Sequence, residues 1–216
     1  MKMNLDIFQN KTFNLLIQKI YSLQHDKEMK QWENVYGEFD KTNYDEFKLD
    51  LPSERTFYFG EIIKWTQDII PQPKRTLLAG DEKKVVEYLQ PQLKVENIIT
   101  TGLLDVDYKW NFENNPPEDI GKFDLIISQA MLEHLINPYK HVCDLINLLN
   151  TNGYLIIHTV CPGHPYHRHP IDTMRFYPDW FEVIAEKLNL TIIRKRIMDN
   201  RLNHIFYMYQ KNGGTI

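Results

Sequence analysis

Short apolar runs bounded by polar punctuation recur along the chain and set its reading. Leu77-Leu78-Ala79, Ile98-Ile99, Leu125–Ile127 and Leu155–Ile157 are apolar at consecutive positions, as strands buried on both faces are. The pattern predicts strands at Thr76–Ala79, Asn97–Thr101, Val106–Tyr108, Asp124–Ser128 and Tyr154–Val160. Segments of helical spacing separate them. One predicted helix runs from Ser53, as N-cap, to about Ile70, where Pro71-Gln72-Pro73 stops it. Others cover Lys83–Leu89, the stretch from the end of the fourth strand to Asn150, and Pro178–Leu188, with its proline in the first turn. Thr151-Asn152-Gly153 turns the chain into the fifth strand, and Leu190–Ile197 and His204–Gln210 form a final hairpin. Alternating strands and helices closed by an antiparallel pair predict an α/β three-layer sandwich. In such sheets ligands bind beyond the carboxyl ends of the strands, here around Ser128, Gln129 and His158.

Residues 1–52 have a different texture. A helix is predicted over Lys11–Gln24, and Trp32, Tyr36, Phe39, Tyr44 and Phe47 then follow without clean periodicity. That aromatic stretch reads either as a lid on the main domain or as a surface extension. The expected division is an N-terminal helical arm or lid, 1–52, and an α/β domain, 53–216.

At 216 residues, with 43% hydrophobic and 25% charged content, the chain suits one domain with a sizeable core plus this arm. A net charge of −4 gives no electrostatic case for nucleic-acid binding. The N-terminus lacks the continuous apolar core of a signal peptide, and no window approaches a membrane span. Cys143 and Cys161 have no metal-finger spacing and read as free thiols. The expectation is a cytoplasmic protein with a small-molecule partner, without nucleic-acid or membrane partners, and of open oligomeric state.

The order of elements, together with FDLIISQAMLEHL (Phe123–Leu135), resembles the class I S-adenosylmethionine-dependent methyltransferases. Phe123, Asp124, Leu132, Glu133, His134 and Pro138 match the small-molecule branch's "FDxVxxxxxLEHxxxP" motif as they stand. PYHRHPIDTMRFYPDWF (Pro165–Phe181) resembles an "HPxDxxRFxPxxF" segment that follows the fifth strand in some of these enzymes. The resemblance covers about residues 54–211. It implies a Rossmann-like sandwich with a mostly parallel sheet and a C-terminal antiparallel hairpin, with S-adenosylmethionine as cofactor. The family's first loop reads "hhDhGCGxG"; here Leu78-Ala79-Gly80-Asp81-Glu82 keeps one glycine. Thr100-Thr101-Gly102 stands where the family places a ribose-binding acid. By the resemblance, Ala79, Gly80, Asp81, Glu82, Gly102, Asp105, Asp107, Ser128 and Gln129 are the cofactor-binding candidates. The alternative is a catalytically silent binding or scaffolding protein that has lost the cofactor.

Methyl transfer is an in-line displacement that needs positioning, water exclusion and, for a protonated nucleophile, a base. HTVCPGHPYHRHPID holds four of the chain's eight histidines and ends in Asp172, with Arg175 three residues on. Three readings stay open. His158, His164, Asp172 and Arg175, with Tyr36 from the arm, bind the acceptor, a small metabolite with an anionic group taken by Arg175, while His169, His134 or His167 acts as base. Or Cys161, His164, His167 and His169 bind a transition metal, although the spacing fits no standard motif and no metal is assigned. Or the histidines are structural and Asp172–Arg175 is a local ion pair. His134 faces the active-site mouth or orients backbone. His25 and His141 read as solvated helix residues, and Met131 and Met174 as packing residues.

Overall fold

The computed structural model describes residues 11–40, 56–70, 72–198 and 203–213. The chain divides into two compact units, 1–39 and 40–216. The first contains one helix, α1 (Lys11–Tyr36), which runs on through Trp32 and Tyr36 where the sequence predicted an end at Gln24. Tyr44 and Phe47, and the Ser53 cap, lie outside the described residues.

The second unit is built on a seven-stranded sheet: β1 (Arg75–Ala79), β2 (Asn97–Gly102), β3 (Tyr108–Lys109), β4 (Phe123–Gln129), β5 (Leu149–Val160), β6 (Leu190–Met198) and β7 (His204–Lys211). Their spatial order is β3-β2-β1-β4-β5-β7-β6. The first five are parallel; β7 runs antiparallel to both β5 and β6. The expected architecture is the observed one.

Leu77, Leu78, Leu125, Ile126, Ile127, Leu155, Ile156 and Ile157 have no exposed surface, so the central strands are covered on both faces. Leu78, Leu125, Ile127, Ile156, Phe206 and Met208 pack in one cluster with α2 (Thr56–Ile69) and α3 (Lys83–Leu93). Alternation turns the other set toward α4 (Pro138–Leu148) and α5 (Pro178–Lys187). There Tyr207 stacks on Phe181 at 4.6 Å, and its neighbour Tyr209 donates to the Phe181 carbonyl at 3.1 Å.

The single predicted helix after β4 is divided. A 3₁₀ turn, Leu132–His134, comes first, and α4 starts afresh at Pro138. Proline has no N–H to give to a continuing helix and steers the preceding residue away from helical torsions. Asn137 adopts a non-helical conformation and its Oδ1 accepts from Lys140 N at 3.1 Å, capping α4. Leu149–Gly153, predicted as helix end and turn, belong to β5, where Leu149 pairs with Phe123. The α3 helix also passes Pro91 and ends at Leu93 instead of Leu89.

Candidate functional site

The carboxyl ends of β1, β2 and β4 come together in register, Ala79 beside Thr101 on one side and Ser128 on the other. Beyond Ala79 the chain turns at Gly80, whose φ of +99° is ready only for glycine. The Gly80 N–H donates to Thr101 O at 2.8 Å. A Cβ on Gly102 would stand 3.8 Å from the Gly80 Cα, so the Gly80 turn lies against the last residue of β2. A Cβ on Gly80 would lie 2.2 Å from Met131 Sδ: the Met131 side chain rests across this turn.

Asp81 is buried beside the turn, and Glu82 pairs with Lys84 at 2.5 Å. Asp107 is held by its own neighbours: its carboxylate accepts from Thr100 N at 2.9 Å and Thr100 Oγ1 at 3.0 Å, and pairs with Lys83 Nζ at 3.1 Å. Burial raises its pKa, but Thr100 and Lys83 outweigh that and leave it below the usual carboxylate range. Asp105 is exposed, and its carbonyl accepts from Lys83 N at 2.8 Å.

Ser128 and Gln129, adjacent on β4, point to opposite faces. Ser128 is fully buried and hydrogen-bonded to His141 Nε2 at 3.1 Å, so it belongs to the α4 layer and not to the crevice. His141 itself is a correction to the sequence reading. It is fully buried, packs on Phe112 at 4.5 Å, and desolvation drops its pKa to about 3. The His25 side chain is outside the described residues. Gln129 is 6% exposed, and its Oε1 is buried with no hydrogen-bond partner among the described residues.

Past β5 the chain brings six of its eight imidazoles into one run. Successive ring centroids lie 4.9 Å apart from His158 to His204, 5.2 Å to His164, 4.7 Å to His167, 4.9 Å to His134 and 6.4 Å to His169. The inner end is core. His158 is 1% exposed, stacks on Tyr58 and Phe206, and shares a 2.9 Å hydrogen bond with His204. Burial holds its pKa well below the ordinary value. His158 is therefore withdrawn from the acceptor site, because β5 sends it inward. His204, missed in the sequence, enters only through the antiparallel register that sets it opposite Val160. The outer end, His164, His167, His134 and His169, reaches solvent.

Under these outer rings lies Glu133, fully buried at the 3₁₀ turn. Thr159 Oγ1 donates to its Oε2 at 2.6 Å; Oε1 is buried without a hydrogen-bond partner among the described residues, 3.9 Å from His167 Nε2. Burial raises the Glu133 pKa and lowers that of His134. The His134 Nδ1–H donates to Ile171 O, and Thr173 ties the loop to the turn through Glu133 O and Leu135 O.

Arg175 does not offer itself to a substrate. Its two terminal nitrogens donate to the Asp172 oxygens at 2.5 and 2.8 Å, and further N–H groups to Met174 O, Pro165 O and His164 O. Those five bonds use all five guanidinium donors. The Arg175 fork holds the Asp172 carboxyl far below the usual range, and Asp172 Oδ2 also accepts from His167 N at 2.7 Å. This pair knots the loop and leaves Arg175 no guanidinium donor for an anion in this conformation. Tyr36 lies on α1, in the other unit. A cavity of about 760 Å³ opens between Tyr139 of α4 and Tyr177, Trp180 and Ile184 of α5; among the expected site residues Arg175 alone lines it.

No protein-family model and no curated protein matches the sequence. Solved structures do. The N-methyltransferase NodS from Bradyrhizobium japonicum WM9, in complex with S-adenosyl-L-homocysteine, aligns at a TM-score of 0.56 and 12% identity, covering 79% of this chain and 93% of that one. An S-adenosylmethionine-dependent methyltransferase from Clostridium acetobutylicum ATCC 824 aligns at 0.57 and 14%, covering 76% and 94%. An O-methyltransferase family protein from Burkholderia thailandensis aligns at 0.56 and 9%, covering 72% of this chain and 56% of that one. The chain has the class I methyltransferase fold.

A methyltransferase fold directs the search for an S-adenosylmethionine site to the ends of β1, β2 and β4, where the residues fit in a particular way. Gly80 and Gly102 face each other without side chains of their own, and Gln129 Oε1 is a buried acceptor with no donor among the described residues. Met131 lies across Gly80 with its Cγ and Sδ nearest and Cε farther off, on an unbranched, flexible side chain. The fit requires that side chain to turn aside.

Proposed function

We propose that the protein binds S-adenosylmethionine between Gly80 and Gly102 and transfers its methyl group to an oxygen or nitrogen of a small molecule. The observation that carries this reading is the close approach of Gly80 and Gly102, at the carboxyl ends of β1 and β2, with Gln129 Oε1 at the end of β4 buried and unpartnered among the described residues. When bound, the cofactor supplies an activated methyl carbon, and the protein's task is to position the acceptor and exclude water.

Ala79, Gly80, Asp81 and Glu82 form the turn against which the cofactor lies, with Gly102 opposite it. Gln129 Oε1 accepts from one of its N–H groups, and Asp105 faces the same rim. Asp107 acts indirectly, holding β2 and the start of α3 together through Thr100 and Lys83. The acceptor lies along the outer imidazoles. His169, exposed at the end of the run, is positioned to take the acceptor's proton, with His164, His134 and His167 lining the approach. Arg168, whose Nε donates to Pro170 O, leaves its terminal nitrogens for an anionic group on the acceptor. The partner is thus a small molecule. No described helix is long and apolar enough to cross a membrane.

Met131 across Gly80 favours a second reading, a methyltransferase-like binding or scaffolding protein whose own side chain takes the cofactor's place. Calorimetric titration with S-adenosylmethionine and S-adenosylhomocysteine separates the two. One equivalent of either bound supports the enzyme. No heat from either at high micromolar concentration leaves the scaffold.

A further inference from the structure

We propose that Glu133, His134 and His167 form a binding site for one divalent transition-metal ion of the zinc class, a ligand set distinct from the Cys161–His169 combination the sequence suggested. One ligand atom from each residue lies within 4.8 Å of the other two. Two imidazoles and a carboxylate are a donor set that suits zinc, leaving a fourth position open.

Three features separate this group from a chance cluster. The first is Glu133 Oε1, an unpartnered oxygen on a side chain with no solvent exposure, facing His167 Nε2 across 3.9 Å. An unpartnered buried carboxylate oxygen is costly, and a cation between the two atoms would satisfy both. The second is the outer support. His134 donates its Nδ1–H to Ile171 O, which fixes the tautomer and turns the Nε2 lone pair away from that bond. Thr159 Oγ1 holds the other Glu133 oxygen at 2.6 Å, and His167 Nδ1 faces Pro165 O at 3.4 Å. Metal ligands are oriented by such partners, here two backbone carbonyls and a hydroxyl. The third is access, since the His167 side chain is 36% exposed and gives the ion a path from solvent.

Bonds of about 2.0–2.1 Å at a tetrahedral centre put ligand atoms about 3.3 Å apart. Loading therefore draws His167 toward Glu133 by about half an ångström and closes the remaining ligand separations, which reach up to 4.8 Å, by as much as about 1.5 Å. Cys161 is not part of the set: it is buried, with its N–H on Asn203 O. His164 Nδ1 faces Pro165 O at 2.9 Å, and His169 stands at the edge of the group.

The proposal does not depend on methyl transfer and is tested without activity. Tag-free full-length protein is stripped with a chelator, then titrated with Zn²⁺ in competition with a chelator of known affinity, and with Co²⁺ by visible absorption. Expected are one equivalent of Zn²⁺ and the intense cobalt bands of a four-coordinate site. His134→Ala and His167→Ala should each weaken binding by about 100-fold or more, Thr159→Val by about 10-fold, and His169→Ala by less than about twofold. Glu133→Gln keeps the oxygen that accepts from Thr159 and serves as the ligand variant should an alanine variant fail to fold, which thermal melts reveal. Absence of saturable stoichiometric binding to the wild type overturns the proposal. So does binding that survives His134→Ala, His167→Ala and Glu133→Gln alike.

Discussion

Replacing Met131 with alanine removes the Cγ, Sδ and Cε atoms that lie over Gly80. Should the cofactor enter here, the wild-type protein must first turn that side chain into solvent, and the variant need not. Complete burial of a methionine side chain is worth about 1.5–3 kcal/mol, and Met131 keeps no more than about a third of its surface in solvent, so its displacement costs roughly 1–2 kcal/mol. That converts to a Kd for S-adenosylhomocysteine about five- to thirtyfold tighter in Met131→Ala than in the wild type. The ligand-free variant should melt slightly earlier, because it has lost the same contact, while its gain in Tm on adding ligand should be larger. Parallel calorimetric titrations and thermal melts read both quantities. Unchanged or weakened affinity in Met131→Ala, with an intact fold, would refute the argument that this side chain competes with the cofactor.

Other substitutions bear on the same account. Gly80→Val puts a branched side chain at φ +99° with its Cβ against Met131; about 1–3 kcal/mol of strain and loss of S-adenosylhomocysteine binding are expected. Retained affinity would place the crevice elsewhere. Arg175→Ala leaves the Asp172 carboxylate, 1% exposed, without its fork; it should destabilise by about 3 kcal/mol, with little recovery in Arg175→Lys. Urea titration checks this, and a neutral result would return Arg175 to the substrate-binding residues. His141 has a folded-state pKa of about 3 against an ordinary value near 6.5, so below about pH 6.5 the unfolded chain takes up a proton that the fold refuses. Stability should fall by about 1 kcal/mol per such group between pH 7 and 5.5, and His141→Gln should remove that share of the slope. An identical pH profile in the variant would contradict the neutral, buried assignment.

The covered, mostly parallel sheet was legible because its central strands are apolar at consecutive positions, a pattern only a sheet covered on both sides tolerates. The site was harder to read, for reasons visible in single residues. Ser128 and Gln129 lie one position apart, so the pleat sends them to opposite faces; the residue types do not say which face holds the crevice. His158 looked like a strand-end ligand because its partner, His204, is 46 residues away and meets it only through the β5–β7 register. His141 left a readable trace: Pro138, His141, Val142 and Leu145 keep the spacing of a buried stripe, and all four are buried. The break before Pro138 was readable too, from the torsional restriction that proline imposes on Asn137. Arg175 was not, since its five acceptors include three backbone carbonyls that only the folded loop brings to it.

The crystal structure of the protein grown or soaked with millimolar S-adenosylhomocysteine tests the central claim most directly. The expected result is the ligand seated between Gly80 and Gly102, Met131 rotated off the turn, and a ligand donor on Gln129 Oε1. Met131 unmoved over Gly80, with no ligand density in the crevice at that concentration, would contradict it.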